Sequence, residues 1–578
     1  MPPPQVVLLI WIITLISVVP LRLMAMPPQS PILCGPTGCK ISNSYGKWGD
    51  RKDCIAWKVV YPATEEDLRS AVAEAVRSGM KVKVVSKFSH TIPKLACTGA
   101  NASILISTEK YDSMIDIDVP NMAVTVHSGV PLRNLIDKVE EAGLSLVAAP
   151  YWEGVSVGGI ISTGAHGSSW WGRGGSVHDH VIGLSLVVPA SESDGYAKII
   201  TLDGQDPLLD AARVSLGLLG VISKVKLSLE KAFKRSITYN FTGDEGLEHM
   251  FMDHANKYEF GDITWYPSKH TAVYRYDSRV PLDTPGNGVF DFLGFQSNSV
   301  VVSKSIRAAE RALETAGNAS GKCLLASTTI AYKKLIANGL RNGLIFTGYP
   351  VIGHQGRMQT SGSCLYTSPS RTDQTCAWDP RIDGLSFYES TAIFPARDFG
   401  AFVKDVKQLR DQNPQNFCGL DIYNGLLIRF VKGSKAALGQ GEDSIVVDFN
   451  YYRAGKATTP RLREDVFEEV EQMAFFRHAA RPHWAKNRKV AFIGAAGKYP
   501  GMAVFLKARQ QLDPKGVFSS EWSDELLFGK EGEKGDGCAL EGLCICSEDR
   551  HCSPGNGYFC RPGLVYKEAR VCRFERSS

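Results

Sequence analysis

The alternation of apolar and polar positions divides this chain into helix-period and strand-period stretches punctuated by glycine and proline. Thr64-Glu65-Glu66-Asp67 places a capping hydroxyl and three acids ahead of Leu68, Ala71, Val72, Ala75 and Val76. That spacing lays the apolar side chains along one helical face, and Gly79 supplies the stop. The valine-rich run Lys81–Ser86 follows as a strand and leads into Lys87-Phe88-Ser89-His90-Thr91, which leaves His90 in a loop. A second unit repeats the order: Ala123–Val126 as strand, Gly129 as turn, and Leu132, Leu135, Ile136 and Val139 as a helical stripe ending at Gly143. Strand-like runs resume from Ile182 to Leu229 and include Val221–Leu227. Aromatic-rich strands and helices without internal repeats continue from about Lys234.

Length changes the picture first. A chain of 578 residues exceeds what one core supports, since single cores stop growing near roughly 250–300 residues. Two or more domains are expected. The pattern divides as 1–25, an apolar leader; 26–53, a cysteine-bearing lead-in with little regular structure; 54–232; 233–530; and 531–578, a tail rich in Gly, Glu, Lys and Cys. With 44% hydrophobic and 22% charged residues the composition is that of a globular protein. The net charge of +5 comes with no Lys/Arg-rich run, which argues against a nucleic-acid partner.

Val6–Val19 is apolar but shorter than the ~20 residues of a membrane span. It reads as a signal-peptide core with processing near Ala25, and a membrane contact arises only if the segment stays uncleaved. The fourteen cysteines agree with export. Six of them, Cys538, Cys544, Cys546, Cys552, Cys560 and Cys572, crowd the tail and read as a disulfide-stapled module. Zinc on Cys544, Cys546, His551 and Cys552 is the competing reading, disfavoured because two separated CxxC pairs are lacking. Asn101, Asn240 and Asn318 head sequons that an exported chain can glycosylate.

The most unusual stretch is Val157–Ser169, VGGIISTGAHGSS, with four glycines and four hydroxyl residues. Such a loop lets main-chain N–H groups approach a diphosphate closely. It matches neither GxGxxG with a downstream acid nor GxxxxGK[ST], so a Rossmann or P-loop site is disfavoured.

A capped helix, a strand, a loop histidine, a second αβ unit, GGIISTGAHG and the closing SLGLLGVISKVKL occur here in that order. Far downstream come Arg481-Pro482-His483-Trp484-Ala485-Lys486 and Leu512-Asp513-Pro514-Lys515-Gly516-Val517-Phe518. From Cys54 to Trp522 the chain resembles the aldonolactone oxidases of the vanillyl-alcohol oxidase and p-cresol methylhydroxylase superfamily, and among them the plant L-gulonolactone oxidases. The resemblance implies an α+β fold: a split FAD-binding domain of the p-cresol methylhydroxylase type, an α+β cap domain over an antiparallel sheet, and a short disulfide-rich tail. The C-terminal part of 233–530 is expected to return to the FAD domain.

The same resemblance implies site residues. His90 matches the histidine that many members bond to the flavin, although the usual GxGHS reads Lys87-Phe88-Ser89-His90-Thr91 here. Gly158, Gly159, Ser162, Thr163, Gly164, His166 and Gly167 are implied to line the pyrophosphate and ribityl side. Gly220, Val221 and Ile222 would offer main-chain contacts. Arg429 matches the catalytic arginine, but the glutamate two residues before it is replaced by Leu427. Asp421 reads as a surface residue rather than a substitute. His483 is implied as the acceptor of the hydroxyl proton, and Lys486 as a cation for lactone oxygens or reduced flavin. No metal is implied. The expected activity is FAD-dependent oxidation of L-gulono-1,4-lactone or a related aldonolactone, with O2 or another electron acceptor. Rival readings are a superfamily oxidase for another sugar or alditol, and a weakly catalytic extracellular FAD- or sugar-binding protein.

Overall fold

The computed structural model describes residues 32–41, 54–86, 93–100, 102–291, 299–336, 340–341, 345–346, 350–360, 387–529 and 534–575. His90 and Asn101 therefore lie outside the described residues, as do Cys364, Cys376 and the apolar leader. No helix among the described residues is long and apolar enough to cross a membrane.

The first αβ unit forms as its pattern dictates. Helix Glu65–Arg77 opens on a capping box in which Thr64 and Asp67 exchange side-chain and main-chain bonds, and it buries Leu68, Ala71, Val72 and Ala75. Gly79 follows in the left-handed region at φ +65°. Strand Lys81–Val85 pairs in parallel with Ser103–Ser107, which also carries Lys58–Val60 on its other side. The second unit feeds an antiparallel sheet in the order Ala197–Asp203, Val181–Pro189, Val221–Ser228, Ala123–His127 and Ile115–Asp118. Helix Leu132–Glu141 buries Leu132, Leu135, Ile136 and Val139 against it. Full burial of each such side chain contributes about 1.5–3 kcal/mol of transfer free energy.

An eight-stranded antiparallel sheet begins at Lys234. Its order is Val351–His354, Lys234–Gly243, Thr271–Val280, Asp262–Tyr266, Leu426–Val431, Ser444–Tyr452, Phe387–Pro395 and Arg481–Pro482. Helices Leu247–Lys257 and Ala396–Gln412 cover one face with Phe251, Phe399, Phe402 and Val403. The chain then returns to the first half, where Leu438, Trp484, Phe492, Phe505 and Trp522 join the core of Val124, Leu135 and Ile160.

Two expectations need correction. The lead-in is regular: Ile32–Gly35, Gly38–Ile41 and Cys54–Ala56 form a three-stranded antiparallel sheet. Cys34–Cys39 closes its hairpin and Cys54–Cys97 ties it to the first domain, where Ile41 and Ala56 share a small core with Val85, Ala96 and Leu105. Asp421 is fully buried, because its Oδ2 accepts from the Ser268 amide and hydroxyl. Burial pushes its carboxyl up to about 7, against those hydrogen bonds.

The tail folds around Cys538–Cys544, Cys546–Cys560 and Cys552–Cys572. These pairings occupy all six sulfurs, so the tail has no thiolate to give zinc. The module docks on helix Glu464–Gln472: one Glu469 carboxylate accepts the amides of Leu564, Val565 and Tyr566. Glu468 accepts from Cys572, and Gln472 exchanges hydrogen bonds with Arg570 in both directions.

Candidate active site

The glycine-rich stretch is partly helical rather than a plain loop. Val157–Ser162 is a short helix capped by Ser156, whose Oγ accepts from the Gly159 amide at 3.3 Å. Ser162 donates to Gly158 O at 2.6 Å and Thr163 to Gly159 O at 2.8 Å, so both hydroxyl hydrogens serve the helix itself. The glycines divide by environment. A Cβ on Gly158 would meet Ser128 Cβ at 2.8 Å, and one on Gly167 would meet Ala149 O at 2.8 Å, so both are demanded by close packing. A Cβ on Gly159 would meet only Ser156 Oγ, at 3.1 Å, which leaves that side of the helix open. Gly164 turns the chain at φ +67°.

Gly220 leads into the central strand Val221–Ser228, which Val221 and Ile222 begin. Val221 pairs with Val187 and Ile222 with Leu186, and a Cβ on Gly220 would strike Val187 O at 2.7 Å. Their visible role is sheet packing.

Beyond Gly164 the chain zips the two halves together. Ser169 N–H donates to Phe430 O at 2.8 Å, Phe430 N–H donates to Ser168 Oγ at 3.1 Å, and Ser168 Oγ donates to Gly261 O at 2.6 Å. His166 thereby lies beside the strand that carries Arg429. On the other flank Arg481–Pro482 adds to the edge of strand Phe387–Pro395, and His483 N–H donates to Thr391 O at 3.3 Å. Trp484 anchors this loop by donating to Leu438 O at 2.9 Å and stacking on Tyr499. The rings of His166 and His483 end 5.3 Å apart. Thr163, Gly164, His166, Ile393, His483 and Trp484 line one cleft between the halves.

The sheet face beside that cleft is charged. Arg429 donates to Asp448, and Lys486 Nζ lies 3.0 Å from Asp448 Oδ1 and 2.6 Å from Glu389 Oε1. Thr391 donates to Asp448 Oδ1 at 2.5 Å. Arg429 also lies over the Tyr151 ring, 5.1 Å from its centroid, while Tyr151 OH donates to Asp262 at 2.7 Å. Asp448 is the register partner of Leu427, and directly opposed residues share a sheet face. A carboxylate therefore stands opposite Leu427 on the same sheet face, carried by the neighbouring strand. Asp448 and Glu389 escaped the sequence reading, although an acid inside Ile445-Val446-Val447-Asp448-Phe449 is a readable signal of a special position.

Two environments separate the acids. Burial works to raise the Asp448 carboxyl, but Arg429 and Lys486 outweigh it and hold the group far below the usual carboxylate range. Burial raises Glu389, and the Asp448 charge adds to this against the pull of Lys486. Burial also holds both imidazoles well below their usual value, helped by Arg429 at His166 and by His166 and Lys486 at His483. Hydrogen bonds assign the tautomers. His166 Nδ1 contacts Gly167 O at 2.8 Å and carries the hydrogen, leaving Nε2 as acceptor. His483 Nδ1 accepts from Ala485 N–H at 3.1 Å, which leaves Nε2 as donor.

The site's open polar atoms fit FAD. His166 Nε2 and Ser128 Oγ are buried, on either side of the short helix in sequence, and neither has a hydrogen-bond partner among the described residues. An imidazole acceptor and a hydroxyl suit the ribityl hydroxyls and the ring N–H of the flavin, while the open Gly159 side of the helix gives a diphosphate main-chain access.

Comparison with known proteins agrees. Residues 57–192 match the model of an FAD binding domain, 385–526 that of D-arabinono-1,4-lactone oxidase, and 535–574 that of the L-gulonolactone oxidase 2-like C-terminal domain. L-gulonolactone oxidase 3 of Arabidopsis thaliana is 64% identical over 554 residues, covering 95% of both chains. L-gulonolactone oxidase 5 of the same plant is 46% identical and covers 95% of this chain and 94% of its own. Among solved structures a solvent-stable cholesterol oxidase superposes with TM-score 0.64 at 17% identity, over 84% of this chain and 97% of its own, which speaks for the fold alone. The chain belongs to the plant L-gulonolactone oxidase family, and it is an FAD-dependent oxidoreductase acting on CH–OH donors.

Proposed function

We propose that the protein oxidises the hydroxyl next to the carbonyl of L-gulono-1,4-lactone, or of a closely related aldonolactone, to a precursor that enolises to L-ascorbate. The observation that carries this reading is the pair of cations, buried Arg429 and half-buried Lys486, that meet on Asp448 beside the cleft of His166 and His483. A lactone is a cluster of acceptor oxygens, and two fixed cations both bind it and favour negative charge that builds during oxidation. Bound FAD supplies the two-electron acceptor, and O2 or another oxidant takes the electrons onward. The names of the plant relatives support the same substrate class.

Arg429 and Lys486 orient the lactone, while the Nε2–H of His483 donates to one of its oxygens. Trp484, locked against Tyr499, keeps that histidine in place. Anaerobic stopped-flow reduction by L-gulono-1,4-lactone and D-arabinono-1,4-lactone tests the reading. Bleaching of the flavin bands by one or both is expected, and an inert protein would instead favour a binding role.

Two further readings belong to this proposal. His90 forms a covalent bond to the flavin, so acid precipitation leaves the yellow colour in the pellet; colour lost wholly to the supernatant refutes the bond without refuting FAD. The protein matures in the secretory pathway, supported by the apolar leader, by cysteines of which none described is free, and by the exposed sequons Asn240 and Asn318. Non-reducing mass spectrometry should find the tail cysteines bridged and the leader removed, whereas six free tail thiols would overturn this.

A further inference from the structure

The oxidation of a carbinol needs somewhere for the hydroxyl proton to go, and of four candidate acceptors two are already committed and a third is weakened by its surroundings. His483 Nδ1 accepts from Ala485, and its other nitrogen carries hydrogen. His166 keeps a lone pair on Nε2, but its burial beside Arg429 makes it a weak base. Asp448 has both oxygens engaged, Oδ2 by Arg429 and Oδ1 by Thr391 and Lys486. Glu389 differs. Its Oε1 meets Lys486 at 2.6 Å, while Oε2 is buried and has no hydrogen-bond partner among the described residues.

Strand register places this oxygen usefully. Glu389 lies two residues from Thr391 on one strand, so both point to the face that carries Asp448 and Leu427. Its register partner is Asn450, whose Oδ1 is likewise buried without a partner among the described residues. Two neighbouring acceptors with no donor call for a ligand rich in hydroxyl groups, since leaving buried polar atoms unmet costs about 1–3 kcal/mol each.

Resting on the lactone-oxidase reading, we infer that Glu389 is the proton acceptor of the reaction, taking the role of the carboxylate missing at Leu427. The substrate O–H bond breaks toward Glu389 Oε2, its electron pair becomes the second bond of the new carbonyl, and the C–H bond leaves with its electrons as hydride to FAD. Lys486 holds the resulting carboxylic acid in place through Oε1 and keeps a positive charge against the oxygen it faces. A split pair, one acid held ionised and its neighbour raised, is the arrangement that assigns base and electrostatic partner between two carboxylates. The charged groups acting on Glu389 are Lys486 from the loop after His483, Asp448 from strand Ser444–Tyr452 and Arg429 from strand Leu426–Val431.

The test is Glu389→Gln in the holoenzyme, read in two ways. Anaerobic flavin reduction by L-gulono-1,4-lactone should fall by about 10²-fold, within the span typical of a lost general base. Wild-type reduction should rise with pH along a limb above the ordinary carboxylate range, and that limb should be missing from Glu389→Gln. Infrared difference spectroscopy without substrate should show a carboxyl C=O band titrating over the same pH range in wild type and absent in the variant. An unchanged rate and limb in Glu389→Gln, or a limb lost in His483→Asn instead, overturns the assignment. A wild type that no lactone reduces, while its infrared band still titrates, refutes the lactone reading on which the assignment rests.

Discussion

Two groups of buried acids meet back to back on strand Phe387–Pro395. Ser390 points one way and donates to Glu471 at 2.7 Å, within the group on helix Glu464–Gln472 that holds the tail. Glu389, one residue earlier, points the other way toward Lys486. In the helix group the acids act as fasteners: Glu469 is met by three amides, Glu464 by Arg461, Glu471 by Arg488 and Ser390. In the sheet group one oxygen is left open. Burial and charge are alike in both places, and what separates these two groups is that the sheet group leaves one acceptor atom, Glu389 Oε2, unmet.

The comparison breaks most visibly at Lys486. Lys486→Met keeps the length of the side chain but removes the cation shared by Glu389 and Asp448, and anaerobic flavin reduction should fall by about 10²–10³-fold with FAD content unchanged. Stopped-flow rates per bound flavin decide it; a wild-type rate would place the chemistry elsewhere. Glu469→Ala should show the opposite profile. Three tail amides lose their acceptor at a total cost of roughly 3 kcal/mol or more, seen as a lower urea midpoint and faster proteolysis of the tail. Flavin reduction per bound FAD should stay within about twofold, since the Arg429 and Lys486 contacts are untouched. A loss as large as that of Lys486→Met would show that the two groups are not separable.

A smaller effect concerns pH and stability. The folded Asp448 carboxyl is depressed by Arg429 and Lys486 in spite of its burial, so its contribution is present above the unfolded carboxylate range and fades as pH falls toward its folded value. Glu389 has the opposite sign. Its folded value is raised by burial, so its contribution is present at low pH and lost as pH rises through that folded value. Glu389→Gln mimics the protonated state and should therefore raise the unfolding midpoint near pH 7.5, with the gain vanishing near pH 4. Equal midpoints at both pH values would mean that the acid is not strained by its site. A gain in stability bought by lost turnover is the usual sign of a working residue.

These differences mark how far the sequence could be read. Helical stripes such as Leu68-Ala71-Val72-Ala75, and glycines with a geometric duty such as Gly79 and Gly164, were legible because they are local. Arg429, His483 and Lys486 were legible through motif likeness, and the structure brings them together beside His166. Asp448 and Glu389 were not, because their meaning depends on strand register across chain separations that no local pattern encodes. The fastening role of Glu469 was hidden for the same reason, its partners lying almost a hundred residues downstream in the tail.

The finest test moves the carboxylate back to the strand position from which it is missing. Leu427 is buried directly opposite Asp448, so Leu427→Glu alone sets two like charges face to face around one arginine. One of the two must protonate, Arg429 loses part of its pairing, and flavin reduction should fall by about tenfold, the equivalent of ~1.4 kcal/mol in the barrier. Leu427→Glu combined with Asp448→Asn should recover most of that loss. The new acid stands two residues from Arg429 on the same face and can take over its pairing, while Lys486 keeps Glu389. Recovery to within about threefold of wild type, at ~0.6 kcal/mol, would show that the site needs one ionised carboxylate beside Arg429 and is indifferent to which strand supplies it. A double variant as slow as the single one would show instead that Asp448 is needed at its own position, where Thr391 and Lys486 converge on one oxygen.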